Sequence, residues 1–243
     1  MPDSFPVALV TGGARRIGRA IVADLAEHGW AVAIHCNRSE DEAQDLAAAI
    51  REKGGRAAIV TGDFAEAETP ARVVDAAVAA LGPLTLLVNN ASIFEFDAVG
   101  ALDRVLWERQ MAINLTAPVF LAEAFAARLP EDAEGNVVNL LDQSVLRPKP
   151  ENFSYQISKA ALAAATERLA QAMAPRVRVN GIAPGPALPS VRQSQEGYRR
   201  LVEATPLRRA PDLTEFGRAI RYIVETRSIT GQVIALDGGQ HLA

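Results

Sequence analysis

Apolar residues are spaced in two alternating ways along this chain. Short, nearly continuous apolar runs stand at Pro6–Val10, Trp30–His35, Arg56–Thr61, Leu84–Val88, Asn136–Leu141, Arg176–Ile182 and Val233–Leu236. Between them, apolar positions recur every three or four residues over Arg16–His28, Ser39–Gly54, Pro70–Leu81, Asp103–Leu129, Phe153–Met173 and Leu213–Glu225. The first pattern predicts strands buried on both faces, and the second predicts amphipathic helices. Strand and helix in alternation predict βαβ units, hence an α/β protein with a doubly wound parallel sheet. Ser39-Glu40-Asp41-Glu42 reads as a capped helix start. Ala183–Pro211 is Pro-rich and without period. It is longer than an ordinary connection, so it is expected to be an irregular substrate loop. No composition break or repeat divides the chain, and residues 1–243 are expected to form a single domain.

Composition narrows the function classes. A chain of 243 residues that is 49% hydrophobic can bury one large core. Net charge is −4 and the basic residues are scattered, which argues against a nucleic-acid or anionic-membrane surface. Cys36 is the only cysteine, so no intrachain disulfide can form. Three dispersed histidines and one cysteine make no metal-ligand pattern. Met1–Phe5 lacks the charged and apolar segments of a leader, and no apolar run approaches the ~18 residues of a membrane span. A soluble cytoplasmic protein is the expectation.

Two stretches carry chemistry. Thr11-Gly12-Gly13-Ala14-Arg15-Arg16-Ile17-Gly18 joins the first strand to the first helix. Glycines there let backbone approach a pyrophosphate, and the helix N-terminus offers N–H groups. At the end of the second strand a carboxylate would bind a ribose 2′-hydroxyl, but no acid precedes Glu40. Arg38 stands there instead and Arg15 adds a second cation, so a 2′-phosphate and NADPH are expected rather than NADH. The second stretch is Tyr155-Gln156-Ile157-Ser158-Lys159. On a helix Tyr155 and Lys159 share a face, and the ammonium is expected to lower the phenol pKa toward useful acid/base chemistry.

Thr11-Gly12…Gly18, Asn89-Asn90-Ala91, Asn114, Tyr155/Lys159, Pro184-Gly185 and the closing Ile229-Thr230-Gly231…Asp237-Gly238-Gly239 occur in one order. Together they resemble the short-chain dehydrogenase/reductase family, over essentially the whole chain. The resemblance implies a single-domain Rossmann-like fold and, as that family commonly shows, a homotetramer. Carried over by match, Gly12, Arg15, Arg16, Ile17, Gly18 and Ala91 hold cofactor, Asn89 stabilises the sheet near the adenosine ribose, and Asp63 contacts adenine. Lys159 holds the nicotinamide ribose, Asn114 a relay water, and Pro184 and Gly185 bracket the nicotinamide. Tyr155 protonates the product.

Two departures are informative. The family's usual serine, some 12 or 13 residues before the tyrosine, is replaced by Asp142 and Gln143, with Ser144 one step later. The third glycine of the turn is Arg16. Both departures resemble the pteridine reductase branch, which includes dihydrofolate- and dihydromonapterin-reducing members. That branch is also similar at His35-x-x-Arg38-Ser39, implying cofactor contacts there, and at Asn90-Ala91-Ser92-x-Phe94. A pteridine is flat, so Phe94 can stack on one face, while Ser92 and Arg16 supply donors to ring atoms. Asp142 would orient Tyr155 or a water for the proton that reduction of C=N requires. Substrate contacts are thus expected at Arg16, Ser92, Phe94, Asp142 and Tyr155, with Tyr198 and Arg192 of the long loop nearby. Two alternatives stay open. One is an NADPH-dependent reductase of a ketone, such as a 3-oxoacyl thioester or a sugar-type carbonyl. The other is a non-catalytic dinucleotide sensor, against which the presence of both Tyr155 and Lys159 argues.

Overall fold

The computed structural model describes residues 5–189 and 193–243. Seven strands, β1 Val7–Val10, β2 Ala31–Cys36, β3 Ala57–Thr61, β4 Leu86–Asn89, β5 Gly135–Leu140, β6 Val177–Pro184 and β7 Val233–Leu236, form one sheet in the order β3-β2-β1-β4-β5-β6-β7. Every pairing is parallel. Eight helices accompany them among the described residues: α1 Arg16–Glu27, α2 Glu40–Glu52, α3 Thr69–Leu81, α4 Arg104–Met111, α5 Ala117–Arg128, α6 Phe153–Met173, α7 Gln195–Glu203 and α8 Leu213–Glu225. The fold is the Rossmann-like doubly wound sheet expected from the apolar runs. Strand order reverses at β1, which pairs with both β2 and β4. In such sheets the ligand crevice opens beyond the carboxyl ends of the strands at that reversal.

Side chains of successive strand residues point to opposite faces, and the two faces build two cores. Ala8 and Val10 pack with Ile21, Val22 and Leu25 of α1 and Phe216, Ile220 and Ile223 of α8. Val7 and Leu9 pack with Val73, Val74 and Ala77 of α3 and Leu121 and Phe125 of α5. Phe125 and Phe216 are fully buried, each contributing on the order of 1.5–3 kcal/mol relative to exposure. Helix α8 approaches α1 closely because position 217 is glycine. A Cβ there would lie 2.4 Å from Asp24 Cβ, and Asp24 Oδ1 accepts from Arg221 Nε at 2.7 Å beside it.

Two sequence expectations change. The Asp103–Leu129 tract is not one regular helix: a π-helical turn, Ala112–Thr116, separates α4 from α5. Pro118 has no N–H to return to the Asn114 carbonyl four residues back, so the α-helical ladder fails there. The turn widens, and Ala117 N–H bonds Ala112 O instead. Taken as one run, Arg104–Arg128 is 25 residues, and an 18-residue window within it has a mean hydropathy of 1.2. Length and composition alone would let this helix cross a bilayer, but Glu108, Arg109, Asn114 and Glu123 interrupt it, so it is no continuous apolar run. Here its inward residues Ile113, Ala117, Leu121 and Phe125 are buried in the sheet's core. Finally, the segment expected to be irregular contains α7, whose N-cap Ser194 accepts from Gly197 N–H at 3.1 Å.

Candidate active site

A cleft of about 960 Å³ opens beyond the strand ends, between the first turn, Arg38-Ser39, Asn90–Phe94, Leu140–Ser144, Tyr155, Lys159 and Pro184–Leu188. The first turn is built for close approach. Gly12 has φ +60°, and a Cβ there would sit 3.0 Å from Ala91 Cα. A Cβ on Gly18 would lie 2.2 Å from Gly12 O. Asn90 Nδ2 donates to Thr11 O at 2.8 Å and Gly12 O at 3.0 Å. Thr11 Oγ1 accepts from the N–H groups of Asn90 and Ala91 at 2.9 and 3.0 Å. The turn and the end of β4 are thereby locked as one unit.

Helix α1 begins with no side-chain cap and no acid in its first turn, so its N-terminal N–H groups and positive dipole end are left for an anion. Arg15, Arg16, Ile17, Arg38 and Ser39 line the same end of the cleft. Arg15 Nε lies 3.7 Å from Glu42 Oε1, both side chains being well exposed. Ser39 precedes α2 without a capping bond, which keeps its hydroxyl on the cleft wall. An uncapped helix start, a bare glycine turn and two guanidinium groups fit a dinucleotide carrying an extra phosphate.

Three residues expected at the cofactor are not among those that line this cleft. His35 is not on the cleft wall. It is buried behind the turn, where Nδ1 accepts Gly12 N–H at 3.1 Å and Nε2 faces Gly62 O at 3.1 Å. The backbone donor at Nδ1 fixes the neutral tautomer, and burial lowers the pKa to about 4. The ring also stacks on Phe64, centroids 4.3 Å apart. His35 therefore sets the glycine turn from behind. Asn89 is also buried, and its Nδ2 bridges Asn139 Oδ1 at 2.9 Å and Pro118 O at 3.2 Å; its neighbour Asn90 is the one that lines the cleft. Asp63 follows β3 and accepts Ala65 N–H at 2.9 Å, a bond that, with Asn37 and the charges of Arg109 and Arg38, holds its pKa below the usual carboxylate value. It too lies off the cleft wall.

Helix α6 brings the reactive groups together. Tyr155 O–H donates to Asp142 Oδ2 at 3.2 Å, while Asp142 Oδ1 caps the turn after β5 through Ser144 N–H at 2.8 Å. Lys159 is buried, donates to Leu140 O at 2.7 Å and lies 5.9 Å from the Tyr155 ring centroid. The expected lowering of the phenol pKa by Lys159 is not what this geometry gives. Burial first, then the Asp142 charge and hydrogen bond, raise Tyr155 well above 10. The ammonium is itself brought down to about 8 by burial, with Asp142 pulling the other way. Lys159 gives one of its three donors to the β5 carbonyl and still lines the cleft, and Asp142 is the charge in direct contact with the phenol.

Phe94 meets Tyr155 edge-on, centroids 4.7 Å apart at 76°, and Phe96 packs against Phe94 at 5.2 Å. Both aromatic rings remain about half exposed, in the cleft. Ser92 Oγ donates to Asn114 Oδ1 at 3.0 Å. Asn114 sits in the π turn with its side chain fully engaged: Oδ1 also accepts Ile93 N–H at 2.9 Å, and Nδ2 donates to Ile93 O and Ser158 Oγ at 3.0 and 3.1 Å. Its side-chain amide therefore braces the Ser92–Ile93 segment. Arg16 adopts φ +53°, a left-handed conformation costly for a side-chain-bearing residue. Its guanidinium donates to Pro189 O at 3.0 Å, tethering the segment after β6 to the cofactor turn. Pro184 and Gly185 line the cleft, and a Cβ on Gly185 would strike Asp237 Cα at 2.5 Å. Tyr198 is turned to the end of β6, donating to Pro186 O and Ala187 O at 3.0 and 3.2 Å. Arg192 lies outside the described residues.

Sequence reading passed over Phe96, Gln143, Ser144, Lys149 and Gln156 as cleft residues. Among these, Gln143 Oε1 and Ser144 Oγ are buried without a partner. Their proximity to Asp142 in sequence was the available signal.

A parallel sheet reversing at β1, a glycine turn at its switch point and a tyrosine–lysine pair on α6 define a dinucleotide-dependent oxidoreductase site. The chain belongs to the short-chain dehydrogenase family, whose sequence profile matches residues 6–198. It is similar to the crystal structure of FolM alternative dihydrofolate reductase 1 from Brucella canis complexed with NADP: 57% identity, TM-score 0.96, covering 98% of this chain and 94% of that one. The Brucella suis protein of the same name, also with NADP, is similar at 57% identity and TM-score 0.96, covering 100% and 97%. A more distant relative is the 3-oxoacyl-[acyl-carrier-protein] reductase FabG of Staphylococcus epidermidis, 26% identical over 97% of this chain and 98% of that protein.

Proposed function

We propose that this chain is an NADPH-dependent reductase of a pteridine or dihydropteridine C=N bond, with Tyr155 as proton donor. The observation that carries the reading is the Asp142–Tyr155 hydrogen bond, 3.2 Å long, beneath the exposed Phe94 ring. NADPH bound along the first turn supplies the hydride. Gly12, Arg15, Ile17 and Gly18 hold its pyrophosphate, Arg38 and Ser39 its 2′-phosphate, and Lys159, Pro184 and Gly185 its nicotinamide end. The resemblance to two proteins solved with NADP supports that cofactor.

Hydride addition to carbon leaves a nitrogen that needs a proton, and Tyr155 O–H is the donor at hand. An anionic Asp142 disfavours a lasting phenolate, so proton transfer must go to an atom basic enough to keep the proton. The nitrogen left by hydride addition meets that condition, as an alkoxide would. A carboxylate is acceptor-only, so Asp142 cannot hydrogen-bond an alkoxide as a serine would, and this favours the pteridine over a 3-oxoacyl or sugar carbonyl. Phe94 offers an aromatic edge and face to a flat ring. Ser92, Arg16 and residues 183–211 complete the substrate side.

The same reading carries a cytoplasmic homotetramer. Phe120 on α5 and Ile157 on α6 are exposed apolar residues of the two helices expected to pair, and light scattering of the purified protein tests the assembly. The activity is tested by incubating the protein with deuterium-labelled NADPH and a dihydropterin. Deuterium at the former C=N carbon is the expected product. No label in any pterin, with label passing to a ketone, overturns the reading.

A further inference from the structure

The segment after β4 forms the substrate side of the cleft, and its exposure alternates with a period of two. Ala91, Ile93, Glu95 and Asp97 are half-buried, while Ser92, Phe94, Phe96 and Ala98 are exposed. This is the alternation of an extended strand, but among the described residues no neighbouring strand pairs with it. The polarity is also inverted, since Phe94 and Phe96 face the open cleft and Glu95 and Asp97 face the protein.

The inward side is held by two helices. Asn114 takes both the N–H and the carbonyl of Ile93, at 2.9 and 3.0 Å. One turn earlier, Gln110 Nε2 donates to Glu95 O and to Ser154 Oγ. Asp97 then ends the segment by capping α6: its carbonyl accepts Phe153 N–H at 3.4 Å and its Oδ1 accepts Ser154 N–H at 3.0 Å. Helix α6 needs that cap, because its own N-cap residue, Asn152, has φ +54° and makes no side-chain capping bond. Gln110–Ser154 and Asn114–Ser158 are thus two rungs, four residues apart on both sides, and all four residues are buried.

We infer that Gln110, Ser154 and Asp97 are positioning residues for substrate: they pin the inward side of residues 93–97 so that Ser92, Phe94 and Phe96 stand as a fixed wall facing Tyr155. None of the three lines the main cleft. They act through the backbone, and because Asp97 and Ser154 lie at the start of α6, they set the wall and Tyr155 in one frame. The inference rests on the pteridine reading for the identity of the ligand, but the pinning itself does not depend on it.

Gln110→Met keeps volume and removes the donor. Asp97→Ala removes the cap, and Asp97→Asn keeps an acceptor for Ser154 N–H. With NADPH bound, amide hydrogen exchange over residues 92–98 is expected to quicken in Gln110→Met and Asp97→Ala and to return toward wild type in Asp97→Asn. In the same two variants KM for dihydropterin is expected to rise roughly fivefold to tenfold, the loss of one or two buried hydrogen bonds, while NADPH affinity stays within about twofold. Unchanged exchange in both variants overturns the inference, as does faster exchange with unchanged KM, or an equal loss of NADPH affinity. Should either variant fail to fold, Ser154→Ala gives the same readouts. If the wild type reduces no pterin, the pteridine reading fails, and the exchange measurement alone then decides the pinning.

Discussion

The Tyr155 hydroxyl donates to Asp142 Oδ2 at 3.2 Å, and that carboxylate, together with burial, raises the phenol pKa well above 10. Asp142→Asn removes the charge and keeps the shape. Burial, the larger cause, persists, so Tyr155 is expected to titrate at lower pH than in wild type while still resisting ionisation at neutrality. Alkaline ultraviolet titration, with Tyr155→Phe to identify the signal, measures this. A tyrosinate transition that does not move would remove Asp142 from the pair.

Tyr155→Phe keeps the ring that meets Phe94 and deletes the proton. General acid catalysis contributes ~10²–10⁴-fold, so kcat is expected to fall by that order with NADPH affinity nearly intact. Lys159→Ala is different. It leaves the buried Leu140 carbonyl without its 2.7 Å donor, so both cofactor affinity and thermal stability are expected to drop. Steady-state kinetics and a melting curve separate the two variants, and full activity in Tyr155→Phe contradicts the donor role.

Arg38 lies on the cleft wall with no acid beside it on the strand end. Arg38→Asp removes a charge-assisted contact and adds repulsion, costing about 2 kcal/mol or more, hence roughly tenfold or more in NADPH affinity. NADH affinity should change little. Fluorescence titration of both cofactors tests it, and a wild type that prefers NADH refutes the 2′-phosphate assignment.

His35 gives stability a pH signature. Its pKa is near 6.5 when unfolded and about 4 when folded, because the neutral ring is buried and accepts Gly12 N–H. The folded state therefore binds fewer protons between those values. The contribution is whole above pH 6.5 and lost as pH falls toward about 4, amounting to about 3 kcal/mol at most. Lys159, lowered from 10.5 to about 8, acts in a separate window, reducing stability as pH falls from 10.5 to 8. Urea unfolding of wild type and His35→Gln at pH 7 and pH 4.5 is the check. The stability gap between them is expected to shrink at the lower pH, and a constant gap contradicts the latch.

Much of this was legible in the sequence because burial wrote it there. Strands covered on both faces need continuous apolar runs, and all seven were visible. The glycine turn was visible because Gly12 and Gly18 answer to close backbone contacts. What stayed hidden depended on distant partners. His35 finds Gly12 and Gly62 only in the folded sheet, so its match to a family pattern suggested a ligand contact where the side chain is a brace. Helix α7 escaped because none of its residues is buried. The π turn hides in one proline, Pro118, inside a tract of good helix formers. The direction of the Tyr155 shift escaped because helical spacing shows Lys159, whereas Asp142 arrives from the end of another strand. In residues 91–98 the pattern runs opposite to a surface strand, with Phe94 and Phe96 outward, and that inversion has meaning only once the cleft is known.

The most direct test of the pteridine reading is steady-state NADPH oxidation by wild type and Phe94→Ala on a dihydropterin, dihydrofolate and a 3-oxoacyl thioester. Wild type is expected to turn over a dihydropterin or dihydrofolate far better than the ketone. Phe94→Ala is expected to lose ~1–3 kcal/mol of pterin binding through stacking and burial, with NADPH affinity unchanged. Rapid ketone reduction by the wild type with no detectable pterin turnover would contradict the account and make this chain a carbonyl reductase.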